Sequence, residues 1–191
     1  MKKEFRDKVI STRKNQHYEF ISDHSSIIIK KLLSMECIQN SKNIMLYLDF
    51  NNEVQTSELV NKLIGLKKIV YSPITITKER KLIPCRITNL EDNIKIGAYG
   101  IREPKKDCYP SIDISDIDIV IVPAVAYDKN RYRLGYGGGY YDRFLNNSKN
   151  SAITIGIAFD FQIFDEIPKE SHDAQLDYII TETTILSYLN D

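Results

Sequence analysis

Apolar positions along the chain follow two periods, and their alternation predicts the fold. Residues 3 to 36 read as helix. Phe5, Val9 and Ile10 mark one apolar face, and Ile27, Ile28, Leu32 and Leu33 mark a second one farther on, with a break at His17 to Phe20. Ile44 to Leu48 is a short apolar run of the kind a buried strand needs. Thr56 is placed to cap a helix that runs to Ile64 and stops at Gly65. Ile69 to Tyr71, Leu82 to Ile87, Ile117 to Val122, Ile153 to Ile157 and Tyr178 to Ile180 read as further strands. Tyr140, Tyr141, Phe144 and Leu145 return to helical spacing. Residues 88 to 116 carry Gly, Pro and Asp and predict a long connection, the kind that often has a function.

Strands alternating with helices imply an α/β fold: a three-layer, Rossmann-like arrangement with a largely parallel central sheet and helices on both faces. The expectation is a single domain over 1–191, with the N-terminal helical segment packed on the α/β core. Ligands of such sheets gather at the carboxyl ends of the strands. Polar positions follow the apolar runs repeatedly. Glu53 follows Ile44 to Leu48, a glycine-rich stretch follows Ile117 to Val122, and Thr181 and Glu182 follow the last run. One shared pocket at that edge is predicted.

The glycine-rich stretch is the most informative. Arg133 to Leu145 reads RLGYGGGYYDRFL, and four of the chain's 8 glycines (Gly135, Gly137, Gly138, Gly139) fall within it. A strand, a glycine loop and a helix start form a ready anion site. The first N–H groups of a helix have no internal partner, and the helix dipole favours negative charge there. Glycine lets the backbone approach a phosphate closely. Arg133 and Arg143 flank the loop and add charge. No Gly-Lys-Ser/Thr follows, so this is not a Walker A loop, and the glycine spacing is not that of the dinucleotide fingerprint. A flexible linker would be rich in Ser and small polar residues. This loop instead holds tyrosines, arginines and an aspartate.

Bulk properties narrow the setting. Lys plus Arg and Asp plus Glu are both 26, so the net charge is zero, which argues against a nucleic-acid partner. Cys37, Cys85 and Cys108 form no CxxC pair and suggest neither a disulfide framework nor a zinc site. The start of the chain is charged, and no apolar run approaches the roughly 20 residues of a membrane span. A cytoplasmic protein without a membrane partner is expected. Tryptophan is absent, but 12 tyrosines can supply aromatic walls.

The glycine stretch closely resembles the signature of the 5-formyltetrahydrofolate cyclo-ligase family, also called methenyltetrahydrofolate synthetases. Other segments resemble that family in the same order: Lys2-Lys3-Glu4-Phe5-Arg6, Glu53-Val54-Gln55-Thr56, Gly100-Ile101-Arg102-Glu103-Pro104, and His172-Asp173 with Asp177. The resemblance implies ATP-dependent cyclisation of 5-formyltetrahydrofolate to 5,10-methenyltetrahydrofolate, with ADP and phosphate released, by a monomer. It implies that Lys2, Lys3, Glu4, Phe5 and Arg6 bind ATP together with Arg133, Leu134, Gly135, Tyr136, Gly137, Gly138, Gly139, Tyr140 and Tyr141. Lys2 and Arg133 would act in catalysis. Glu53 and the stretch Tyr136 to Tyr140 would bind the folate. Asp142 and Asp177 would hold Mg²⁺.

Each assignment has a plainer counterpart. A basic start suits a solvated helix, Tyr141 suits the core, and an acid such as Asp142 stabilises a first helical turn by itself. A lone histidine such as His172 is more often structural. Arg143 reads better as a surface or ion-pair residue than as a catalyst. Two other classes remain open at this point: a sugar-phosphate isomerase or acyl-CoA transferase of similar architecture, and a nucleotide-binding regulatory subunit without turnover. An RNA-associated protein is disfavoured by the zero net charge.

Overall fold

The computed structural model describes residues 2–97, 101–105, 112–147, 152–170 and 173–188. Gly100, Cys108 and His172 lie outside them. Three helices open the chain: α1 (Lys2–Lys14), α2 (Tyr18–Ser34) and α3 (Glu36–Asn40). The break after α1 comes earlier than the pattern suggested, because Tyr18 already begins α2.

The main sheet has seven strands. In chain order they are β1 (Asn43–Met45), β2 (Ile69–Ile76), β3 (Lys81–Ile87), β6 (Ile119–Val122), β9 (Ile153–Ile157), β11 (Tyr178–Ile180) and β12 (Ile185–Ser187). Their spatial order is β12-β11-β9-β6-β1-β2-β3. The inner five are parallel, and the edge strands β3 and β12 are antiparallel to their neighbours. The expected α/β fold with a mostly parallel sheet is therefore the observed one.

Side chains along each inner strand alternate between two cores, as the pleat requires. Ile44, Ile119, Ile121 and Ile155 face a cluster with Ile28, Ile29 and Leu32 of α2. Leu59, Val60 and Leu63 of α4 (Ser57–Gly65) join the same cluster. Met45, Val120, Val122 and Ile179 face the opposite cluster, with Phe144 of α6 (Tyr140–Asn147). Both faces are thus covered, which explains why these strands read as continuous apolar runs.

A second, three-stranded sheet was not legible in the sequence. It joins β7 (Ala126–Asp128), β8 (Arg133–Leu134) and β10 (Ile163–Phe164) in the order β10-β7-β8. Val9 of α1 packs against Val125, Ala126, Leu134 and Ile167 of this region. Phe5 meets Phe164 edge to face at 4.8 Å. Burying one such apolar side chain contributes about 1.5–3 kcal/mol, and these two contacts dock α1 beside the glycine loop.

The described residues of the long connection after β3 are largely structured. They hold α5 (Leu90–Asn93) and a hairpin of β4 (Ile94–Ile96) and β5 (Arg102–Pro104). Two local expectations are corrected. Thr56 stands at the start of α4 but its side chain caps nothing there; it bonds Asp49 instead. Gly65 is the last helical residue, and the left-handed turn falls on Lys67 with φ 60°.

Gly156 of β9 has a packing reason. A Cβ there would lie 2.5 Å from Tyr127 Cε1 and 3.1 Å from Leu176 Cδ1. Tyr127 is fully buried, its hydroxyl donating to Val122 O at 2.8 Å. Gly156→Ala is expected to destabilise by about 1–3 kcal/mol through overpacking. For a chain of this size that lowers the melting temperature by roughly 2–10 °C. A thermal melt matching the parent protein would contradict this packing.

Candidate functional site

The glycine loop leaves β8, not β6. The hairpin of β7 and β8 stands between the central strand and the loop, so the predicted strand–loop–helix order holds but its strand is different. Arg133 and Leu134 are buried at the loop's start, and α6 begins right after Gly139. Gly137 and Gly139 have φ of 100° and 63°, so the loop needs glycine at both positions. At Gly138 a Cβ would lie 2.6 Å from the Tyr140 ring. Arg143 bonds Gly138 O and, at 3.2 Å, Arg80 O, and so braces the loop.

Helix α1 lines one wall. Lys2, Arg6, Val9 and Arg13 follow one another at four, three and four residues, which places them on one stripe of the helix. Arg6 Nε donates to Gly135 O at 2.7 Å, and its guanidinium faces Gly137. Lys2 Nζ lies 2.9 Å from Glu170 Oε1 and 3.3 Å from Asp173 Oδ2. Desolvation works against its charge, but the two carboxylates outweigh it and hold the ammonium above its ordinary pKa. The structure thus joins the N-terminal motif to Asp173 of the C-terminal one. Lys3 and Glu4 are exposed on the outer side of α1, while Phe5 anchors it from within.

Glu53 sits in the tight turn after β1 and is only 7% exposed. Its Oε2 accepts from Phe50 N at 3.0 Å, and its Oε1 accepts from the Tyr136 hydroxyl. Arg13 Nη1 lies 3.7 Å from the same oxygen, and Arg13 Nη2 donates to the Tyr136 hydroxyl at 2.5 Å. Burial pushes the Glu53 carboxyl above its usual range, and Arg13, Tyr136 and the Phe50 N–H pull it back only in part. The Tyr136 hydroxyl is pushed up by burial and by the Glu53 charge. The residue as a whole stays 48% exposed, and its ring offers a flat platform over a buried polar floor. The glycine loop and Glu53, 83 residues apart, are therefore in direct contact.

Arg133 is 5% exposed and reaches Asp142 Oδ1 at 2.6 Å and Ala174 O at 3.4 Å. Asp142 lies in the first turn of α6 beside the loop. Asp177 has a different role in this geometry: its carboxylate accepts from Thr154 N and Oγ1 at 2.7 and 2.8 Å and ties β11 to β9. The two aspartates thus have separate partners, and no cluster of three or more metal-binding side chains occurs among the described residues. Tyr140 and Tyr141 open α6, the first against Gly138 and the second with its hydroxyl buried.

Three contributors had no role assigned from the sequence, although Arg102 stood in one of the family-like segments. Arg13 is the largest, and its place on the Lys2–Arg6 stripe was the available signal. Asp49 accepts from Thr56 N at 2.7 Å and pairs with Arg102 at 2.7 Å. Arg102 also donates to Ser57 Oγ at 2.7 Å, so the β4–β5 hairpin closes the Glu53 side of the site.

Comparison with known proteins agrees with this fold. The model of a family described as the 5-formyltetrahydrofolate cyclo-ligase family matches residues 1–182. A Haemophilus influenzae protein named 5-formyltetrahydrofolate cyclo-ligase is 32% identical over 178 residues, covering 91% of this chain and 90% of that protein. The Escherichia coli K12 protein of the same name is 28% identical, covering 81% and 86%. The solution structure of Aquifex aeolicus 5,10-methenyltetrahydrofolate synthetase superposes with a TM-score of 0.85 at 30% identity, covering 100% of this chain and 93% of that one.

Proposed function

The chain belongs to the 5-formyltetrahydrofolate cyclo-ligase family, and on that premise we propose that it converts 5-formyltetrahydrofolate and ATP to 5,10-methenyltetrahydrofolate, ADP and phosphate. The formyl oxygen attacks the γ-phosphorus and ADP leaves. N10 then attacks the formyl carbon and gives up its proton. Phosphate departs with the former formyl oxygen. The folate supplies both nucleophiles, so the protein needs no Ser or Cys of its own. Its work is positioning and neutralising phosphoryl charge.

The contact between Glu53 and Tyr136 carries this reading, because it joins the loop suited to phosphate with a buried carboxylate suited to a pterin. Lys2, Arg6 and the backbone of Gly135 to Tyr141 take the triphosphate, and Leu134 fixes the loop's base. Lys3, Glu4 and Phe5 belong to the ATP motif chiefly as the turn of α1 that presents Lys2 and Arg6. The Tyr136 ring stacks on the folate, with Gly137, Gly138, Gly139 and Tyr140 around it. Arg133 would meet charge developing on the transferred phosphoryl group.

Mg²⁺ fits at Asp142, an acid at the loop's edge with 26% of its side chain exposed. One carboxylate with nucleotide oxygens and waters is a common Mg²⁺ arrangement. Bound there, the ion would neutralise phosphate charge. Asp177 would join it only by releasing Thr154. The same reading makes the enzyme a cytoplasmic monomer.

The test follows purified protein with both substrates, watching methenyltetrahydrofolate absorbance and assaying ADP. Equal amounts of the two products are expected. ATP binding without folate product would overturn the proposal and leave a nucleotide-binding protein.

Lys2→Ala separates the roles of α1. Its partly exposed ion pairs are worth about 1 kcal/mol or less to stability, so the melting temperature should barely move. Loss of a charged phosphate contact should raise the Michaelis constant for ATP by about tenfold or more. An unchanged value would remove Lys2 from the nucleotide site.

A further inference from the structure

Two buried side-chain polar atoms have no hydrogen-bond partner among the described residues: Arg13 Nη1 and the Tyr141 hydroxyl. Both belong to the surroundings of Glu53. Nη1 lies 3.7 Å from Glu53 Oε1, and the Glu53 charge reaches the Tyr141 hydroxyl and pushes it up, second to burial. Arg13 itself is 1% exposed. Its guanidinium is fixed by Nε donating to Asn51 O at 2.9 Å and Nη2 to the Tyr136 hydroxyl at 2.5 Å. A buried donor left unmet in a rigid setting is costly unless a ligand meets it.

The substrate's chemistry matches this arrangement. The pterin edge presents two N–H donors followed by a carbonyl oxygen. A carboxylate reads the donors. A guanidinium beside it, which can only donate, reads the carbonyl. We infer that Arg13 is a second recognition residue of the folate pocket, its Nη1 donating to the pterin 4-oxo group beside the N–H groups taken by Glu53. This rests on the cyclo-ligase reading. Glu53 needs the N3–H that a 4-oxo ring carries and a neutral 4-amino ring lacks. Arg13 adds to that preference, because a 4-amino group would oppose donor to donor.

Arg13 also favours the charged form of Glu53 against its burial. The groups that face Glu53 are Arg13 from α1, Tyr136 from the glycine loop, Asp49 and Tyr47 after β1, Tyr127 from β7 and Tyr141 from α6. Of these, Arg13 is the cation. Asp49 and burial oppose ionisation. Without Arg13, the carboxylate should protonate at higher pH.

The experiment measures binding of 5-formyltetrahydrofolate and its 4-amino-4-deoxy counterpart to the parent protein, Arg13→Lys and Arg13→Met, with melts run alongside. The parent should prefer the 4-oxo ligand by about tenfold or more. Arg13→Met should lose part of that preference and bind the folate about tenfold more weakly, with ATP affinity kept within about twofold. The acid limb of its folate binding should move to higher pH. Arg13→Lys, which keeps the charge but not the fork, should hold the limb and lose part of the preference. If Arg13→Met does not fold, the parent's preference and the lysine variant decide. No 4-oxo preference in the parent, unchanged folate affinity in Arg13→Met, or a limb that stays in place would overturn the inference. Absence of product from the parent with 5-formyltetrahydrofolate and ATP would instead overturn the cyclo-ligase reading.

Discussion

Glu53→Gln is expected to raise the Michaelis constant for 5-formyltetrahydrofolate by about tenfold to a hundredfold while leaving that for ATP within about twofold. The range follows from losing hydrogen bonds to a charged acceptor, about 1.5–3 kcal/mol. Glutamine keeps the shape and one acceptor oxygen, so it can still receive the Phe50 N–H or the Tyr136 hydroxyl. It cannot accept two N–H groups of a pterin without turning an NH₂ toward them. It also leaves the nearly fully buried Arg13 without its counter-charge, which adds to the loss. Initial-rate kinetics with each substrate varied in turn check this. Equal effects on both constants would remove Glu53 from the folate pocket.

Arg133→Met is expected to lower kcat by about a hundredfold to a thousandfold, the usual scale for removing one preorganised donor to developing charge. Methionine fills most of the buried space. Asp142 Oδ1 loses its 2.6 Å partner but keeps enough exposure to take water, so the stability cost stays near 1–3 kcal/mol. Lysine at the same position restores charge but not the fork that spans Asp142 and Ala174 O, so rescue should be partial. A folded Arg133→Met variant with kcat within threefold of the parent would make Arg133 a structural residue.

What the sequence revealed follows from the physics of each element. The inner strands of the main sheet were visible because burial on both faces demands continuous apolar runs, as in Ile119 to Val122. β7, β8, β10 and β12 were not read as strands, and each spans only two or three residues. That is also why the glycine loop was hung on the wrong strand. Thr56 has the right type for a cap, yet the Asp49 carboxylate, a stronger partner, claims its hydroxyl.

The site divides in the same way. The glycine loop was legible because positive φ at Gly137 and Gly139 leaves a compositional trace. The joining of Lys2 to Asp173, and of Glu53 to Tyr136, spans 171 and 83 positions and leaves none. Arg13 looked like one more basic residue on an exposed helix. Only the fold reveals that this position faces a buried carboxylate. Asp142 and Asp177 show the reverse: both are acids near motifs, but one pairs with Arg133 and the other clamps β9 to β11.

In the proposed reaction ATP phosphorylates the formyl oxygen of the folate. Turnover of 5-formyltetrahydrofolate labelled with ¹⁸O at the formyl group, followed by mass analysis of the released phosphate, tests it most directly. One labelled oxygen in the phosphate is expected for each methenyltetrahydrofolate formed. Unlabelled phosphate, with the label released to water, would contradict it.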